Sequence, residues 1–68
     1  MVSLVNALKS FQSGSLSREE LFAEVDQILR GGRVNESWLL KTLEEENTKV
    51  PLPEDVREVV HNRIERSA

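Results

Sequence analysis

Gly14-Ser15-Leu16-Ser17-Arg18-Glu19-Glu20-Leu21 is the stretch from which the fold can be read. Ser17 stands three residues before Glu20, the spacing of a capping box: the serine hydroxyl accepts from the Glu20 N–H, and the glutamate carboxylate reaches back to the Ser17 N–H. Leu16 precedes the cap and Leu21 follows four residues into the helix, the spacing of a hydrophobic staple. The pattern continues as Leu21, Phe22, Val25, Ile28 and Leu29, with Glu19, Glu20, Glu24, Asp26 and Gln27 opposite. Apolar residues three and four apart on one side and acids on the other define an amphipathic helix. Acids in its first turn and Arg30 in its last suit the helix dipole. Gly31-Gly32 is expected to supply a left-handed residue beyond its end.

Upstream, Met1, Leu4, Val5, Leu8 and Phe11 share one face of a short first helix, which Gln12-Ser13-Gly14-Ser15 ends. Downstream, Asn35 reads as the N-cap of a third helix, with Val34 and Leu39 placed as a second staple. That helix is expected to run to about Glu46. Asn47 to Pro53 reads as a connector, because each proline biases the residue before it toward extended backbone. Pro53 suits the first position of a fourth helix, Glu54 and Asp55 suit its positive end, and Val56, Val59, Val60 and Ile64 form its stripe. No strand-like alternation competes, and there is no exact internal repeat. The expected fold is all-α: one compact bundle of four short helices in two hairpins, joined at Gly14 and across Pro51–Pro53.

Composition narrows the classes of function. The chain has 68 residues, no cysteine and a formal net charge of −3. A domain this small has a thin core, and without disulfides association with another chain is the common source of added stability. A net negative chain in which acids and bases alternate does not suit nucleic-acid phosphates. No apolar run reaches the roughly 20 residues of a membrane span, and Met1-Val2-Ser3-Leu4 lacks the order of a signal peptide. A cytoplasmic location is therefore expected. Residues 1–68 read as a single interaction domain, expected to be the N-terminal part of a longer protein.

Gly14-x-Leu16-Ser17-x-Glu19-Glu20-Leu21-x-x-x-Val25-x-x-Ile28-Leu29, preceded by a short helix with Leu4, Leu8 and Phe11, resembles the SHOCT-type module, a short bacterial helical hairpin. The likeness covers about the first thirty residues. It implies an accessory element for oligomerisation or contact with another protein, and no catalytic residues.

No constellation for chemistry emerges. His61, the sole histidine, has Glu58 and Glu65 three and four residues away, as in an ordinary surface pair. With no cysteine, metal-ligand spacing is missing, so no metal or cofactor is expected. Arg30, Arg33, Lys41 and Lys49 around Gly31-Gly32 lack the strand and the glycine pattern of a phosphate-binding loop. A helix-turn-helix DNA reader is disfavoured because its recognition helix would end in Glu44-Glu45-Glu46, which repels phosphate. Those three glutamates read as a solvated helix end or, alternatively, as an acidic contact patch.

Trp38 widens the apolar face of Leu39, Leu40 and Leu43 to about 200°, more than one packing seam needs. The indole either lies across the core or anchors an interface. The function read from these features is a non-enzymatic protein-protein interaction or oligomerisation module acting through amphipathic helices, as a homodimer or in a partner's groove. Such a module would serve as an adaptor in a larger bacterial regulatory or signalling protein. Leu4, Leu8, Phe11, Trp38 and Leu40 are the expected partner-binding residues. The alternative is a small acidic regulator, of antitoxin or anti-activator type, that binds an enzyme or a nucleic-acid-binding protein.

Overall fold

The computed structural model describes residues 3–31 and 35–66. These form four helices, α1 (Leu4–Gln12), α2 (Arg18–Arg30), α3 (Glu36–Lys49) and α4 (Glu54–Arg66), and among the described residues no strand.

Local chemistry accounts for most helix ends. Ser3 Oγ caps α1 by accepting from Asn6 N at 3.2 Å. At the other end of α1, Gly14 turns left-handed at φ +88°. Its N–H donates to Phe11 O, and Ser15 N–H donates to Ser10 O at 2.8 Å. This pair of bonds is the Schellman arrangement, which satisfies carbonyls that the helix leaves open. The capping box of α2 is complete: Ser17 N donates to Glu20 Oε1 at 3.0 Å, and Glu20 N to Ser17 Oγ at 3.2 Å. Asn35 Oδ1 caps α3 by accepting from Trp38 N at 3.0 Å. Val34, the other half of the expected staple, lies outside the described residues.

Two helix ends differ from the sequence reading, and the end of α2 is described only as far as Gly31. Gly31 is right-handed, φ −63° and ψ −12°, and closes α2 with a tight bond from its N–H to Ile28 O. Gly32 lies outside the described residues. The third helix runs to Lys49, about one turn beyond Glu46. Pro51 restrains only the residue before it: Val50 is extended (φ −136°, ψ 104°), and the helix continues up to that point. Pro53 stands one position before α4, its carbonyl accepting from Arg57 N, so it precedes the first turn that it was expected to open.

The two hairpins form as expected, α1 against α2 and α3 against α4, and they lie side by side. Helix α1 packs beside α3 and α2 beside α4, while α2 and α3, consecutive in the chain, are not adjacent. Two ion pairs give the direction: Arg18–Asp55 at 3.1 Å and Asp26–Arg63 at 2.7 Å each join residues 37 apart, so α2 and α4 run in the same sense. Gln12, at the C-terminal end of α1, likewise meets the C-terminal end of α3.

The core consists of Leu4, Ala7, Leu8, Leu21, Val25, Leu39, Leu43, Leu52, Val56, Val60 and Ile64. Phe11, Phe22, Ile28, Leu29 and Leu40 pack partly buried around it. Each buried Leu or Val contributes about 1.5–3 kcal/mol relative to exposure. The buried positions recur between the hairpins: Leu4 and Leu39, Ala7 and Thr42, Leu8 and Leu43, Leu21 and Val56, and Val25 and Val60 are each 35 residues apart. The hairpins thus repeat a burial pattern without repeating a sequence.

Candidate interaction surface

The buried face of α3 carries Leu39, Thr42, Leu43 and Glu46. At 100° per residue, Trp38 and Leu40 flank this stripe on opposite sides of Leu39. Leu40 turns back against the core and is half-buried. Trp38 turns outward and is 54% exposed. Its backbone is held firmly, since its N–H donates to Asn35 Oδ1 and its carbonyl accepts from Thr42 Oγ1 at 2.9 Å. The second bond also satisfies the buried Thr42 hydroxyl. Lys41 and Glu45, about one and two turns further along the same side of α3, are exposed and carry one charge of each sign.

Among the described residues Val50, at 50%, is the other exposed large apolar side chain. Val50, just past the end of α3, stands twelve positions on from Trp38, about 18 Å at 1.5 Å per residue, so the two do not form one patch. Of the two readings of Trp38, the structure rules against the core: an indole more than half exposed does not fill one.

The other expected contact residues are redistributed. Leu4 and Leu8 are 2% and 0% exposed, enclosed among α1, α2 and α3, and present no surface to a partner of the single chain. Their side of α1 is occupied within the chain because two neighbouring helices converge on it. Phe11 is half-buried against the core. The five residues therefore do not make a common surface, and Trp38 stands apart as the exposed one.

The glutamate run also divides. Glu44 and Glu45 are exposed, but Glu46 is only 4% exposed, which corrects its reading as part of a solvated end. Within α3, Glu46 falls three residues after Leu43 and seven after Leu39, on the core stripe. Its Oε2 lies 3.3 Å from Lys49 Nζ. Glu44 pairs with Arg57 of α4 at 3.4 Å. Of the expected basic edge, Arg30, Lys41 and Lys49 are exposed, Lys49 being engaged with Glu46, and Arg33 lies outside the described residues.

His61 Nδ1 lies 2.8 Å from Glu65 Oε1, one turn on, as expected of a surface pair. Both line a shallow depression with Arg57, Glu58 and Asn62, all from α4. Among the described residues no three His, Asp or Glu side chains converge as a metal site would require. Glu20, in the capping box, has its carboxyl held below the ordinary 4.5 by hydrogen bonds from the Ser17 backbone N–H and then from the Ser17 side chain.

Two residues that bind the hairpins together were not singled out from the sequence. Gln12 Nε2 donates to Glu46 O at 3.0 Å and to Val50 O at 2.7 Å, fastening α1 to the open end of α3. Arg63 donates to Asp26 Oδ2 and to Phe22 O, with its guanidinium 5.1 Å from the centre of the Phe22 ring. Their partners are remote in sequence, and only the order in which the helices pack reveals them.

No described helix is long and apolar enough to cross a membrane. In comparisons with protein-family models, with curated proteins and with solved structures, the chain matches none.

Proposed function

We propose that this chain is a non-enzymatic protein-binding module that self-associates through a contact surface centred on Trp38. One observation carries the reading: a tryptophan on a capped helical turn holds its indole more than half in water while neighbouring leucines are enclosed. Exposing an indole costs hydrophobic free energy, and tryptophan is among the residue types enriched where a few side chains dominate a protein contact. A twofold pairing would bring Trp38 of each copy near the other and cover both with one patch. The small core, with no disulfide to support it, favours such association. The resemblance of the first hairpin to the SHOCT-type module points the same way, and the role we assign is that of an adaptor in a larger regulatory or signalling assembly.

The acidic-regulator alternative has less support, because Glu46 is buried and Glu44 is engaged by Arg57, which thins the acidic patch on which it would rely. Sedimentation velocity across a concentration series tests the proposal. The wild-type chain is expected to gain mass with concentration, and Trp38→Ala to stay monomeric with unchanged helical circular dichroism. A wild-type chain that remains monomeric throughout, or a variant that associates equally well, would overturn it. Association that weakens steeply with added salt would favour charge contacts over the indole.

A further inference from the structure

We draw no further inference here: the strongest candidate beyond the Trp38 surface, the polar depression on α4 lined by Arg57, Glu58, His61, Asn62 and Glu65, is formed by one helix whose His61 and Glu65 already pair with each other, and nothing in the structure shows what would occupy it.

Discussion

Arg63 of α4 reaches Asp26 of α2 at 2.7 Å, and the same guanidinium lies over the Phe22 ring and donates to the Phe22 carbonyl. One side chain thus makes three kinds of contact across the boundary between the hairpins. Both charged partners are about two-fifths exposed, so water screens the ion pair and it contributes less than its short distance suggests. Arg63→Ala is expected to lower stability by about 1–2 kcal/mol, combining the hydrogen bonds, the ring contact and the packed side-chain stem. In a double-mutant cycle with Asp26→Ala, read by urea denaturation, a coupling of about 0.5–1 kcal/mol is expected. Full additivity would mean that the pair contributes nothing.

Gln12 fastens the other side of the boundary with a single amide nitrogen shared between two carbonyls. Gln12→Ala should cost about 1 kcal/mol, since the Glu46 carbonyl keeps its bond from Val50 N. Gln12→Glu should cost more, because it sets carboxylate oxygens against carbonyl oxygens at the negative end of α3. Denaturant midpoints for the two variants check this order, and a glutamate variant as stable as wild type would contradict the assigned contact.

Acid should weaken the start of α2. The Glu20 carboxyl titrates lower in the folded chain than its ordinary 4.5, because Ser17 hydrogen-bonds its charged form. A group lowered in this way contributes stability that is fully present above the unfolded value and is lost as pH falls through the folded one. Glu20→Gln should therefore have a lower thermal midpoint than wild type at pH 7, with the gap closing toward pH 3. A gap unchanged over that interval would show that the capping box is not the source.

Core and surface positions should separate sharply. Leu8→Ala, at a fully enclosed position, should cost about 2–5 kcal/mol and leave much of so small a chain unfolded at room temperature. Trp38→Ala should cost about 1–2 kcal/mol, clearly less than Leu8→Ala, since more than half of the residue already faces water. Thermal melts followed at 222 nm distinguish these outcomes.

Local signals made much of the architecture legible in advance. Ser17 with Glu20, Asn35, and the stripes through Leu21–Val25 and Val56–Val60–Ile64 act within one helix, and their spacing is itself the physical cause of the structure. What could not be read depends on partners far along the chain. Glu46 shares the stripe of Leu39 and Leu43, but its enclosure depends on α1 packing beside that end of α3, where Gln12, 34 residues away, donates to the Glu46 carbonyl. Leu4 and Leu8 showed the same apolar character as an interface would, and only the convergence of α2 and α3 on α1 identifies them as core. For Trp38 the sequence left both answers open, because its position flanks the stripe and packing decides which way a flanking residue turns.

Trp38 is the only tryptophan in the chain, so its fluorescence reports on the proposed contact without interference. Emission maximum and acrylamide quenching measured over a hundredfold concentration range test the central claim most directly. Burial in a contact between copies predicts a blue shift and falling quenching as concentration rises. An emission maximum and quenching constant that stay those of an exposed indole throughout would contradict it.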